Sequence, residues 1–226
     1  MSNFVCPCCN GNFDEFLPHG VKQRPNARCP NCGSLERHRL LWLYFQDRTN
    51  LFSENLKVLH IAPEDIFQKA FKAMPNLDYI SGDIKSSRAM VKMDITNIPY
   101  EANSFDVILC VHVLEHILDD RKAMREFFRV LKPNGWSILQ VPIDLKRDKT
   151  FEDPSITMPE DRTRFFGQHD HVRVYGRDYR DRLEESGFLV TVDGYARNLG
   201  TDLIKKYSLK QHQEIYFCRK SKQNDV

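Results

Sequence analysis

The sequence predicts an α/β fold: an open sheet wound from successive βαβ units, with helices on both faces, preceded by a small N-terminal zinc-binding module. Two observations carry this. From Leu56 onward, short apolar runs alternate with amphipathic helical segments. Ahead of them, five of the seven cysteines fall within the first 32 residues.

The cysteines come in two echoing segments, "CPCCNG" from Cys6 and "CPNCGS" from Cys29. Each reads Cys-Pro-X-Cys followed by Asn or Gly. The proline stiffens the turn, and the small residue lets backbone amides point at the sulfurs. The spacing C-x2-C-x19-C-x2-C offers four thiolates, the set that tetrahedral zinc takes in a closed, structural site. Cys6, Cys9, Cys29 and Cys32 are the expected ligands, with Cys8 the spare. About fifty residues with few large apolar groups hold together poorly alone, so bound Zn2+ is expected to supply much of this module's stability. "SLERHRLLWLYFQDR" follows. Ser34 is the expected N-cap of a docking helix over 35–48, with Leu40, Leu41, Leu43, Tyr44 and Phe45 on its apolar face and Arg37 and Arg39 on its polar one. The module with this helix is assigned to residues 1–50 and the larger domain to 51–226.

In the larger domain "LKVLHIA" reads as a buried strand and "EDIFQKAFKAM" as a helix stopped by Pro75. "LDYISGD" and "AMVKMD" are the second and third strands, and "SFDVILCVHVL" is the most apolar of all. "DDRKAMREFFRVL" is a helix ended by "KPNG", and "WSILQVP" is a fifth strand. After a long polar insertion over 143–175 come the helix "GRDYRDRLEESG" and the strands "FLVTVDGY" and "EIYFCRK".

Thirty-three basic against 31 acidic residues leave a net charge of +2, which argues against a general nucleic-acid coat. No apolar run reaches the length of a membrane span, and "MSNFVCPCCNGNF" lacks the basic flank and apolar core of a signal peptide, so a soluble, cytoplasmic protein is expected.

Ligands of such sheets sit beyond the carboxyl ends of the strands. The second strand ends at Asp83, the third at Asp94 and the fourth near His112 to His116. A carboxylate ending the second strand pairs with ribose hydroxyls, and one after the third can accept from an adenine amino group. Together they point to an adenosine ligand with no demand for phosphate.

Residues 105–142 carry Phe105-Asp106-Val107, Leu114-Glu115-His116 and the Arg129 to Gly135 turn, with Asn134 in place of a glycine. In these motifs the stretch resembles the class I S-adenosylmethionine-dependent methyltransferases, type 11 subgroup, closely over 56–142 and loosely over 176–219. The resemblance implies a Rossmann-like sheet, S-adenosylmethionine as cofactor, and methyl transfer to an oxygen or nitrogen acceptor. It implies cofactor contacts at His60, Ala62, Pro63, Glu64, Asp83, Asp94, Ile95, Val111 and His116.

One departure stands out. "VLHIAPED" occupies the place of that family's glycine-rich loop and contains no glycine. Alanine is the next smallest residue, and Pro63 suits the first turn of a helix, with Glu64 and Asp65 in its favourable N-terminal turn. Glu64 is there expected to meet the ammonium of the cofactor's methionine part.

The acceptor is expected where the fourth strand and the insertion converge. "CVHVLEHI" and "FFGQHDHVRVYG" supply His112, Glu115, His116, His169, Asp170, His171 and Arg173. His171 and His112 are candidate bases, since imidazole titrates near neutrality, and Arg173 a candidate anion or hydroxyl contact. The charge balance and an insertion acidic at Glu152, Asp153, Glu160 and Asp161 favour a small-molecule or glycan acceptor. RNA is the alternative, since zinc knuckles ahead of such a domain also resemble bacterial ribosomal RNA guanine methyltransferases and Arg24, Arg28, Arg37, Arg39 and Phe16 offer some basic and aromatic character. A non-catalytic zinc-bearing binding protein is a third reading.

Overall fold

A computed structural model describes residues 3–20 and 22–221. The chain divides into two compact units, each treated by itself below: Met1–Asn55, Glu64–Leu77 and Asp193–Ile215 form the first, and Leu56–Pro63, Asp78–Val192 and Tyr216–Val226 the second. Residues 64–77 and 193–215, expected within the larger domain, thus group with the N-terminal segment.

The central sheet has seven strands: β1 Leu56–Ile61, β2 Leu77–Asp83, β3 Val91–Lys92, β4 Phe105–Val111, β5 Leu131–Gln140, β6 Leu189–Asp193 and β7 Ile215–Arg219. Their spatial order is β6-β7-β5-β4-β1-β2-β3. The pairs β1–β4, β4–β5 and β2–β3 are parallel, and β7 is antiparallel to β5, with Cys218 opposite Ser137. Order therefore reverses between β1 and β4, which puts a crevice at the carboxyl ends of those neighbours.

The motifs near β4 have clear physical roles. The Asp106 carboxylate takes the Lys132 ammonium at 2.8 and 2.9 Å and the Lys57 amide at 2.9 Å, so it fastens β1, β4 and the start of β5. Helix α3, Asp120–Val130, is capped by the Asp119 side chain on the Lys122 amide and buries Ala123, Met124, Phe127 and Val130. It runs into β5 through a bulge at which Asn134 holds φ +64°. Gly135 follows because a Cβ there would stand 2.8 Å from the Lys132 carbonyl oxygen and 2.9 Å from that of Asp106. Asn tolerates the left-handed region better than most residues, so it replaces the expected first glycine, whereas the second position admits no side chain. The core of this unit runs from Leu59 and Ile61 through Ile108, Phe127 and Leu139 to Tyr175, Tyr179 and Tyr216.

In the first unit two small hairpins pair Phe4–Val5 with Asn12–Phe13 and Leu17–His19 with Arg24–Arg28. Helix α1 covers Glu36–Arg48 and helix α2 Asp65–Lys72. Ser34 is not the N-cap of α1. Leu35 holds that position, and its amide donates to Nδ1 of His38 at 3.1 Å. Helix α2 begins two residues later than Pro63, with Glu64 as its N-cap. Phe67 and Phe71 stack at 5.5 Å, and Phe45 meets them edge-on at 5.8 and 6.0 Å.

Arg39, expected on the polar face of α1, is fully buried. It donates to the carbonyls of Ala27, Ser34, Tyr207 and Ser208 at 2.7 to 3.1 Å and lies 4.4 Å above the Phe16 ring. A buried charge needs all its donors met, and four carbonyls and an aromatic face meet them.

Candidate active site and cysteine cluster

The sulfurs of Cys6, Cys9, Cys29 and Cys32 all lie within 4.8 Å of one another. Asn10, at φ +56°, and Gly33, at φ +74°, follow the second cysteine of each knuckle in the left-handed conformation that folds the loop round the sulfurs. Ser34 is spent here: its hydroxyl stands 3.1 Å from Cys6 Sγ and 3.3 Å from Cys32 Sγ. Burial pushes the Cys29 thiol up to about 12, and its hydrogen bond to Cys6, with burial, pushes Cys32 up to about 12. Four sulfurs gathered this closely make the donor set that a structural zinc site uses.

In the second unit the carboxyl ends of β1 and β4 both finish in left-handed residues. Ala62 has φ +45° and His112 φ +56°. Each is fixed by a backbone bond at 2.8 Å, Ala62 N to Gly82 O and His112 N to Gln140 O. Non-glycine residues held this way concentrate at functional sites. Ala62 thus adopts the backbone geometry that a glycine would give, which answers how a loop without glycine keeps its turn. His60, buried on β1, places Nδ1 2.9 Å from the Tyr79 hydroxyl.

Asp83 accepts the amides of Lys85 and Ser86 at 2.7 Å through Oδ1. Asp94 accepts the Thr96 amide and hydroxyl at 2.8 and 2.9 Å, also through Oδ1. In both, Oδ2 meets no partner among the described residues. Each carboxylate is thus pinned by one oxygen and presents the other, which suits it to a hydroxyl or amino donor such as adenosine offers. Ile95 and Val111 are buried. Glu64, in the first unit, is already engaged: its Oε1 accepts from Arg37 at 2.9 Å and stands 2.6 Å from His38 Nε2.

Leu114–His116 forms a single 3-10 turn after β4. The insertion that returns to it is ordered by a short ladder of Phe151–Glu152 with Arg173–Val174 and by helix α4, Pro159–Phe166. Val172 N donates to Glu115 O at 2.9 Å. His116 packs edge-on against His171, ring centroids 4.7 Å apart. Its Nδ1 lies 3.3 Å from both the carbonyl and the carboxylate of Asp170. His112 Nδ1 lies 3.2 Å from Glu115 Oε1. Burial first, then the neighbouring His116, holds the His171 pKa below the ordinary imidazole value.

Arg173 does not face an acceptor. It is buried, donates to the carbonyls of Leu114, Ile117 and Leu118, and pairs with Glu152 at 2.9 Å and Asp120 at 3.7 Å. With its donors committed, it holds the turn in place and leaves none for an anion. Arg182 and Asp120, unremarked in the sequence, complete this clamp: Arg182 donates to Asp120 at 3.2 Å and to Glu152 at 2.8 Å, and the Tyr175 hydroxyl donates to Asp120 at 2.7 Å.

Residues 58–139 match the protein family described as "Methyltransferase domain". A demethylmenaquinone methyltransferase of Paenarthrobacter aurescens is 36% identical over 61 residues, 27% of this chain and 20% of that protein. A ubiquinone/menaquinone biosynthesis C-methyltransferase of Idiomarina loihiensis is 42% identical over 45 residues, 20% of this chain and 18% of that protein. The match thus spans about a fifth of these relatives' length. Among solved structures, the [4+2]-cyclase SpnF superposes with a TM-score of 0.54 at 13% identity, covering 81% of each chain. An S-adenosylmethionine-dependent methyltransferase of Mesorhizobium loti gives 0.52 at 12% identity, covering 79% of this chain and 97% of its own. Residues 58–139 are thus similar in sequence to a methyltransferase domain, and the sheet they help to build has a Rossmann-like fold.

Proposed function

We propose that this protein is an S-adenosylmethionine-dependent methyltransferase with a structural zinc at Cys6, Cys9, Cys29 and Cys32, acting on a small-molecule or glycan acceptor. The observation that carries the cofactor reading is the pair Asp83 and Asp94, each pinned through Oδ1 with Oδ2 unengaged, at the carboxyl end of β2 and just after β3. Asp83 takes the ribose hydroxyls and Asp94 the adenine amino group, beside the Ala62 turn and the apolar Ile95 and Val111. When bound, the cofactor supplies a methyl group already activated on a sulfonium, so alignment of the acceptor does most of the work. His171 or His112 accepts the proton released by a hydroxyl or amine.

The acceptor reading is supported by the fate of the basic residues. Arg39 and Phe16 are buried together, Arg24 pairs with Glu36 at 3.0 Å and Arg37 with Glu64 at 2.9 Å, so these four offer little to a phosphate backbone, while Arg28 alone of the five is exposed and outside any ion pair among the described residues. The test is transfer of radiolabelled methyl from S-adenosylmethionine to fractions of the native cell extract. Label in small molecules or glycans is expected; label in RNA would reverse the acceptor reading. No label in any fraction, with no binding of S-adenosylhomocysteine, would leave a zinc-bearing binding protein. Loss of zinc from Cys29→Ser, read by elemental analysis, tests the cysteine site.

A further inference from the structure

We propose that Glu115, His116 and His171 form a second metal site, for a divalent transition-metal ion that holds an oxygen of the methyl acceptor. One ligand atom from each residue lies within 4.8 Å of the others. Glu115 is 2% exposed, and its Oε2 is buried with no hydrogen-bond partner among the described residues. A buried carboxylate oxygen left alone is costly, and a cation removes that cost.

The imidazoles are arranged as metal ligands are. His116 Nδ1 faces Asp170 through both its carbonyl and its carboxylate at 3.3 Å, and His171 Nδ1 faces the Phe166 carbonyl at 3.3 Å. Both acceptors favour a proton on Nδ1 and so leave the Nε2 lone pair for a metal, the outer-shell arrangement that orients histidine ligands. The remaining Glu115 oxygen, Oε1, is steadied by His112 at 3.2 Å. The Val172 to Glu115 backbone bond at 2.9 Å holds the two ligand-bearing segments in register, which limits the ordering cost of binding.

Two imidazoles and one carboxylate suit zinc, manganese, iron or cobalt and leave positions open for substrate oxygens. This part rests on the methyltransferase reading. The metal would act as a Lewis acid on an acceptor hydroxyl and lower its pKa; with His171 a ligand and no longer a base, the proton would pass to His112. The acceptor class is thereby narrowed to molecules presenting one hydroxyl, or two adjacent oxygens.

The test is cobalt(II) titration of the full chain after chelator treatment, read by visible absorption and by bound metal. Two equivalents are expected, one with the intense thiolate spectrum and one with the weak spectrum of nitrogen and oxygen ligands. His171→Ala and the near-isosteric Glu115→Gln should each lose only the second, with melting temperature unchanged. A single equivalent in the wild-type chain, of thiolate type, overturns the site without recourse to any variant. So does a second equivalent that both variants retain. Binding of S-adenosylhomocysteine to the chelated protein, measured alongside, reports on the methyltransferase reading separately: if it binds while the second equivalent is missing, only the metal site falls.

Discussion

The amide of Val172 donates to the carbonyl of Glu115 at 2.9 Å, joining the insertion to the turn that follows β4. One residue further, the Arg173 guanidinium caps three carbonyls of that turn and its continuation. The insertion is therefore built to fix the turn's shape. Arg173→Ala should cost about 3–5 kcal/mol, because it breaks the buried ion pairs with Glu152 and Asp120 and takes the guanidinium away from the carbonyls of Leu114, Ile117 and Leu118. Urea unfolding measures this; a loss below about 1 kcal/mol would fit a solvated side chain and contradict the clamp.

The same cluster gives a pH dependence. Burial alone would raise the Glu152 pKa, but hydrogen bonds from Arg182 and Arg173 hold it below its ordinary value. Asp120 faces both of these arginines, and Asp178 faces Arg182. A carboxyl whose folded pKa is depressed stabilises the protein fully above its unfolded value and loses that contribution as pH falls through the folded one. Wild type should therefore be more stable than Glu152→Gln at neutral pH, and the gap should close in acid, below the ordinary glutamate value of 4.5. A gap independent of pH between neutrality and strong acid would show that the charge plays no part.

Ala62 offers a test of the loop. Its φ of +45° carries a cost of roughly 1–2 kcal/mol for an L-residue, against roughly 0.5–1 kcal/mol for the greater unfolded freedom of glycine. Ala62→Gly should thus match or slightly exceed wild-type stability, and Ala62→Val should fall well below it. Thermal melts of the two variants decide; a valine variant as stable as wild type would mean the turn is not held as described.

The strands, most helices and the cysteine spacing were legible because local periodicity and spacing encode them. "SFDVILCVHVL" became β4, ended by the turn of His112, and "AMVKMD" yielded a strand of only two residues, Val91–Lys92. The placing of Asp83 at the end of β2 and of Asp94 just after β3 was legible for the same reason. The role of Arg39 was not: its partners Tyr207 and Ser208 lie 168 and 169 residues away, and no local pattern marks such a contact. Arg173 misled for a related reason. A polar segment rich in arginine and histidine reads as solvent-facing until the carbonyls of Leu114, Ile117 and Leu118 and the carboxylates of Glu152 and Asp120 are placed against it. Ser34 had the right chemistry for a helix cap, yet two sulfurs claimed its hydroxyl.

The central claim is the cofactor site, and calorimetric titration with S-adenosylhomocysteine tests it most directly. The variant to compare is Asp83→Asn, which keeps the oxygen that accepts from Lys85 and Ser86 while removing the carboxylate's second acceptor. Loss of a hydrogen bond to a charged group costs roughly 1.5–3 kcal/mol, so affinity should fall about ten- to a hundredfold with melting temperature unchanged. Equal affinity in wild type and variant, or no binding by the wild-type protein, would contradict the account.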